Sequence, residues 1–470
     1  MLVLLAAARA WAYPFYAPRP VPSAIAGPTD PHVAAIFYNP AALGPLRGLH
    51  AHFEGGARLH EGGLDRADGA GSASINWADY DAFAGLSWDL QTDSFTIGLA
   101  VYSPLTDFTA YGDTAARYHA IHSTFATLEE SAAAAFKVTN RFFVGASANF
   151  AESWLDYSYQ RDVAIYGGSS LVNQPNALCG GQPCGFENPL AAQTLRLRGF
   201  GWGIGFSVGV LVRPIDRLWL GLSYTSHVFN TGRGGDFPLN DANRPKVQAA
   251  PGQGQVCYDL SARNPNTCPG NDVVTMALPD MLQLAARIEV NPRFDLEAQA
   301  RWIHYGQRSN LSVDLQGPAI DRLATSRAAA IPAEILLDRG LQDAWGFEVS
   351  GRWRVGDKLR LSPSLMFETA AVDTSAVNAA SIDAPKLDLA LVAEWRPIKH
   401  LMIGAHVGGT AYILGQAGQR FDPQAQVACV DAGYNLDACG ASNRGDGLPA
   451  ANGTYTYFVV HFGAAVGLDY

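Results

Sequence analysis

Charge is scarce in this chain. Only 16% of its 470 residues are Asp, Glu, Lys or Arg, where soluble domains carry about 25%. Long apolar runs are missing as well. Although 48% of residues are hydrophobic, no stretch reaches the roughly 18–20 consecutive apolar residues of a membrane helix, which excludes a helical span. There is no basic excess: 33 Lys and Arg face 43 Asp and Glu, for a formal net charge of −10. An acidic chain of this kind is not expected to bind nucleic acid. Cysteine is sparse, with six in all, and no cofactor or metal is expected.

What the chain has instead is alternation. About fourteen strand-like segments carry apolar side chains at every second position. Short gaps between them fall at Gln91–Asp93, Thr139–Arg141, Arg213–Arg217, Asn291–Arg293, Gly356–Lys358 and Arg396–His400. Long gaps cover about 62–81, 107–119, 160–193, 232–271, 307–341, 372–384 and 415–453. The length would also suit two or three soluble domains. Tight turns at one end and large loops at the other predict an all-β fold: a transmembrane antiparallel up-and-down β-barrel of about 14 strands, spanning a bacterial outer membrane many times.

The faces of the segments agree. Phe294, Leu296, Ala298, Ala300 and Trp302 share one side, against Asp295, Glu297, Gln299 and Arg301. Trp345, Phe347, Val349, Trp353 and Val355 oppose Glu348, Ser350, Arg352 and Arg354. A soluble β-sandwich also alternates. Here, however, the polar faces carry both charge signs, as a lumen would. Trp302, Tyr305, Trp345, Trp353 and Trp395 sit near segment ends, as interfacial girdles do. The last segment runs from Phe458 to an aromatic Tyr470, a feature that resembles the assembly signal of outer-membrane barrels. Outer-membrane lipid, lipopolysaccharide and the assembly machinery are therefore expected partners, and a monomer is expected.

Residues 1–12 read as a signal peptide, with Leu2–Ala8 as its apolar core and Ala10-Trp11-Ala12 as a small-x-small cleavage site. Residues 13–46 form a proline-rich segment and a small N-terminal unit, and 47–470 the barrel. The cysteines fall into three local pairs, Cys179/Cys184, Cys257/Cys268 and Cys429/Cys439, each inside one long loop. Short separation and export favour three disulfides. Zinc is the rival for Cys179 and Cys184, but no second pair or histidine lies close in sequence.

Four stretches resemble the FadL/TodX family of outer-membrane transporters for long-chain fatty acids and other hydrophobic compounds. They are Asp30-Pro31-His32-Val33-Ala34-Ala35-Ile36-Phe37-Tyr38-Asn39-Pro40-Ala41; Gly201–Phe206 with Gly209–Leu211 and Leu222–Ser226; Leu278-Pro279-Asp280-Met281; and Leu341-Gln342-Asp343-Ala344-Trp345. They occur in order along nearly the whole chain. Tyr13–Pro22 replaces the usual glycine-rich N-terminus, and Ala42 stands where glycine is common. The resemblance implies a barrel plugged by a small N-terminal hatch. Ligand would be captured by the loops, pass a hatch-gated lumen and leave through a gap in the wall.

On that reading Asn39, Pro40 and Ala41 belong to the hatch, Asn39 as a hydrogen-bonding latch. Pro104 marks a break in the third strand, because proline removes a ladder donor. Phe186, Leu190, Phe237 and Leu239 are candidates for first capture. Arg301, Arg352, Arg360 and His406 are candidates for a carboxylate head group, Arg bidentately, although inward arginines also pair with inward glutamates. Gly205-Phe206-Ser207-Val208-Gly209 matches a hydrolase elbow, but that motif needs a strand–turn–helix and lies here inside an alternating strand, so no enzyme is expected. The alternatives are a general diffusion porin, an outer-membrane lipase using Ser207 with His406 or His461, and a purely structural barrel.

Overall fold

The computed structural model describes residues 27–67, 69, 71–112, 114–166, 169–228, 237–241, 271–276, 278–308, 310–316, 334–338, 340–418, 422–432 and 450–470. The expected signal peptide and the proline-rich segment lie outside them. Fourteen antiparallel strands form one ring: β1 (Leu49–Arg66), β2 (Ser72–Trp88), β3 (Phe95–Ala110), β4 (His122–Thr139), β5 (Phe142–Asp162), β6 (Ala192–Ile215), β7 (Leu218–Thr225), β8 (Met281–Asn291), β9 (Phe294–Ile303), β10 (Ala344–Val355), β11 (Leu359–Glu368), β12 (Lys386–Ile398), β13 (Leu401–Tyr412) and β14 (Gly453–Asp469). The ring closes where β1 pairs β14, from His50↔Asp469 to Arg66↔Gly453. Four short strands, Phe237–Asp241, Asn271–Met276, Asn310–Gln316 and Glu334–Asp338, pair in that order and extend the loop end of the wall beyond β6.

Exposure shows why this sequence closes into a cylinder. Leu389, Leu284, Val407 and Trp353 are 63%, 56%, 55% and 53% exposed, whereas Asp388, Glu297 and Arg352 are 0%, 2% and 3% exposed. Charges point in and hydrocarbon points out. A surface like that is untenable in water and is the one a lipid-embedded barrel requires. Trp345 and Trp353 lie at opposite ends of β10, both about half exposed. Trp302 meets Trp345 across the ladder, with ring centroids 6.5 Å apart. Tyr305 departs from the expected girdle: it is 5% exposed, in a 3-10 turn packed on the inner apolar residues.

Turn lengths alternate as expected, with one correction. At the tight-turn end the connections are 89–94, 140–141, 216–217, 292–293, 356–358 and 399–400. Gly356 takes φ 71°, a left-handed conformation that costs glycine little. The first expected long gap, 62–81, is instead mostly strand. Leu49–Arg66 and Ser72–Trp88 pair continuously up to Asp65↔Ser72, leaving only 67–71 as the turn. The upper part of that hairpin carries polar side chains such as Glu61, Asp65, Ser74 and Asn76. A ladder that has left the hydrocarbon needs main-chain hydrogen bonds but no apolar outward face, so the outer row turns polar before the strand ends, while Leu64, Ala73 and Ile75 stay buried on the inner one.

Candidate functional site

The lumen holds the chain's own N-terminal segment. From Gly27 to Leu43 almost every residue is buried. The four-residue helix Ala35–Tyr38 is wholly buried and too short to persist alone. Asn39 ends it and caps the 3-10 turn Pro40–Leu43, its side chain accepting from the Ala41 N–H at 3.1 Å. Pro40 occupies the first position of that turn, where a missing N–H costs nothing. The Asn39 amide donates to the carbonyls of Pro28, at 2.7 Å, and of Val210 on β6, at 3.0 Å. The Tyr38 carbonyl accepts from Ser223 on β7, at 2.6 Å, and from Gln283 on β8, at 3.1 Å.

Glycines in the wall make the seat. A Cβ on Gly145 would lie 2.4 Å from the Ala41 nitrogen, one on Gly209 2.0 Å from Asn39 Oδ1, and one on Gly221 2.3 Å from the Pro28 carbonyl. Such approaches are open only to a residue without a side chain. Charge fixes the other flank. Asp30 accepts from Arg287 at 3.2 Å and Arg352 at 3.0 Å, and Arg352 also holds Glu297 at 2.5 Å. Burial works to raise the Asp30 carboxyl, but the Arg352 and Arg287 guanidiniums outweigh it and hold it below its ordinary value. His32 lies half-buried beside His52, at 4.5 Å between ring centroids, and its Nδ1 accepts from the Ala34 N–H. Burial first, then His52, hold that imidazole well below its ordinary pKa.

Beside this segment the wall has a seam. The β2–β3 ladder runs from Trp88↔Ile97 to Phe83↔Tyr102 and ends there. Above that point β2 remains paired with β1, and β3 with β4, where the register shifts between Tyr102 and Leu105. Pro104 lies at that shift and has no N–H to give a ladder. Side chains bridge the seam: the Ala82 N–H donates to Ser103 Oγ at 3.1 Å, and Thr106 Oγ1 to the Tyr80 carbonyl at 3.2 Å. Arg58 reaches across from β1, binding Asp79 at 2.6 Å and the Thr106 carbonyl at 3.0 Å.

At the loop end, residues 163–166 and 169–191 are tied to the ends of β1 and β5. Cys179 and Cys184 are joined by a disulfide, with 5.2 Å between their Cα atoms, so this pair is not a zinc site. Phe186 packs with Leu171, Val172, Ala191 and Val427, the last on a helix spanning Pro423–Asp431. Leu190 is 39% exposed. Arg66 clamps Glu187 with two hydrogen bonds, of 2.7 and 2.8 Å, and Asp162 accepts from the Glu187 N–H at 2.7 Å. Phe237 and Leu239 lie in the short strand Phe237–Asp241, but their side chains lie outside the described residues. Cys429 is disulfide-bonded; Cys257, Cys268 and Cys439 lie outside the described residues.

The inward basic residues proposed from sequence do not converge on one point. Arg352 holds Asp30 and Glu297. Arg301 is bound by Glu368, and Arg360 by Glu394. His406 lies beside His461, ring centroids 5.8 Å apart and planes tilted by 36°, and His461 pairs with Asp388 at 2.8 Å. Ser207 does not meet those histidines: its hydroxyl hydrogen-bonds Thr225 and Asn149. Arg287, Gln283 and Ser223 escaped the sequence reading. Each occupies an ordinary inward position, and only its contact with the N-terminal segment distinguishes it.

The family described as outer membrane protein transport protein (OMPP1/FadL/TodX) matches residues 21–394. Among solved structures, a Pseudomonas aeruginosa FadL homologue is similar over 98% of this chain and 100% of its own, at 14% identity and a TM-score of 0.72. The Ralstonia pickettii toluene transporter TbuX covers 97% and 98%, at 13% identity and a TM-score of 0.62. The Pseudomonas putida toluene transporter TodX covers 98% and 100%, at 12% identity and a TM-score of 0.62. At such identities the likeness is one of fold. No curated protein matches the chain significantly by sequence.

Proposed function

The chain belongs to the outer membrane protein transport (OMPP1/FadL/TodX) family, and from that premise we propose that it carries hydrophobic small molecules passively into the outer membrane. The class includes long-chain fatty acids and monoaromatic hydrocarbons, and two structural neighbours are toluene transporters. Molecules are captured at the loop mouth, where Leu190 is exposed and Phe186 lies just beneath. They descend to the hatch, residues 27–46, latched by Asn39 with Pro40 and Ala41. They leave sideways at the seam beside Pro104. The single observation behind this route is the missing β2–β3 ladder above Tyr102, beside a lumen occupied by the chain itself. Transfer from water to hydrocarbon yields about 0.8 kcal/mol per CH2, so the route needs no energy source, only a way past the polar lipopolysaccharide. No catalytic step is part of it, and one barrel suffices.

Sealing the seam tests the route. Ala82 and Ser103 face each other across it, so Ala82→Cys/Ser103→Cys can be joined by oxidation. Uptake of labelled butylbenzene by cells carrying this variant is expected to fall to the empty-vector level when oxidised and to return on reduction. Undiminished uptake with the cross-link in place would mean that the ligand leaves elsewhere.

A further inference from the structure

The seam has a lip on which buried acid outnumbers base, Asp79, Asp81 and Glu129 standing beside Arg58. Its floor is the last rung of the ladder, the stacked pair Phe83 and Tyr102, with centroids 5.9 Å apart and ring planes at 22°. Phe37 of the N-terminal segment meets Tyr102 edge-on at 5.5 Å. Leu105, where β3 resumes its pairing, is fully buried. The path from hatch to seam is thus aromatic and apolar, which suits hydrocarbon.

Two carboxylates border that path. Asp81 lies on the inner face of β2, next in that row after Phe83. It is 6% exposed, and its Oδ1 has no hydrogen-bond partner. Glu129 on β4 is 4% exposed and accepts from the Tyr102 hydroxyl at 2.7 Å. Neither has an arginine or lysine partner among the described residues; nearby Arg58 is taken by Asp79 and Thr106. The imbalance is general. Among the described residues fifteen buried Asp and Glu face five buried Arg and Lys. All five, Arg58, Arg66, Arg287, Arg352 and Lys386, hold a carboxylate within 3.2 Å.

We propose that this transporter selects uncharged hydrophobic molecules and rejects carboxylates, with Asp81 and Glu129 as the specificity-determining pair at the lateral exit. The proposal rests on the transport reading above and adds which member of the class passes. A carboxylate entering the lumen sheds its water and finds, among the described residues, no uncommitted buried cation to replace it, because Arg58, Arg66, Arg287, Arg352 and Lys386 each already hold a carboxylate. Taking one would strip a buried acid of its partner, which is strongly unfavourable. At the exit the anion meets like charge, the arrangement by which interfaces exclude wrong partners. An uncharged ring or chain loses little water and gains Phe37, Phe83 and Tyr102.

Two probes of one skeleton test this: labelled n-butylbenzene and 4-butylbenzoate, given at pH 8 to cells carrying the full-length protein in an intact outer membrane. Uptake above empty-vector cells is expected to favour butylbenzene by about tenfold or more. Asp81→Asn/Glu129→Gln, nearly isosteric, is expected to narrow that preference to about threefold or less by admitting the benzoate. Asp357→Asn, in an exposed tight turn at the other end, should keep the wild-type ratio. Equal uptake of the two probes by the wild type, or a preference that the double variant leaves intact, overturns the proposal. Entry of neither probe overturns the transport reading itself, and the selectivity with it.

Discussion

Gly145 decides whether the N-terminal segment can seat. Alanine there would bring a Cβ to 2.4 Å from the Ala41 nitrogen and 2.5 Å from the Pro40 carbonyl carbon. The β5 ladder is held on both sides, to β4 and β6, so the segment must give. Overpacking of this kind costs about 1–3 kcal/mol. Gly145→Ala is expected to speed amide exchange throughout 27–46 while the barrel still migrates as folded in unheated gels. His32 sets a pH limit on the same segment. Its pKa is depressed when docked, so the undocked ring, with an ordinary value of about 6.5, takes up a proton first. Docking is therefore full above pH of about 6.5 and weakens as pH falls, by at most about 1.4 kcal/mol per pH unit. Protonation would also remove the Nδ1 acceptor used by Ala34. Protection within 27–46, taken relative to the intrinsic exchange rate at each pH, should fall between pH 7.5 and 5, and His32→Gln should flatten that fall; a profile equally steep in the variant would assign the effect to another group.

The elements show what alternation can and cannot reveal. The rows Trp345 to Val355 and Leu387 to Trp395 were legible because lipid demands an apolar side chain at every outward position. The upper β1–β2 hairpin was not, because beyond the hydrocarbon its outward face becomes polar while pairing continues to Asp65↔Ser72 and Leu64 and Ile75 stay buried inside. The break at Pro104 could be placed from the residue alone, since proline donates nothing. The side chains that bridge the seam could not, because Arg58 meets Thr106 48 residues along the chain. The loop 163–191 is an element of its own, with a small apolar cluster and a disulfide closing a six-residue ring, Cys179 to Cys184. By chain entropy such a ring is worth about 2 kcal/mol. Cys179→Ser/Cys184→Ser is accordingly expected to make 163–191 more sensitive to protease by more than tenfold, with the melting of the barrel unchanged. A drop in barrel melting would show that the loop braces the wall.

At the scale of the molecule, the sequence carried the cylinder, but only closure brings the site together. Asp30 lies 257 residues from Arg287 and 322 from Arg352. In the sequence those two arginines look like every other inward base in a polar row. Closing the ring places them on one carboxylate, sets Gly145, Gly209 and Gly221 against Ala41, Asn39 and Pro28, and leaves β2 and β3 apart beside the filled lumen. On the proposed route, a barrel filled in this way is expected to pass hydrophobic molecules through its wall and ions poorly along its axis. Single-channel recording in planar bilayers examines that claim most directly, with the wild type beside a variant lacking 27–46. The wild type is expected to be nearly silent, and the shortened protein to conduct in steady, ohmic steps. Large ohmic conductance from the intact protein would contradict the account and make it an open pore.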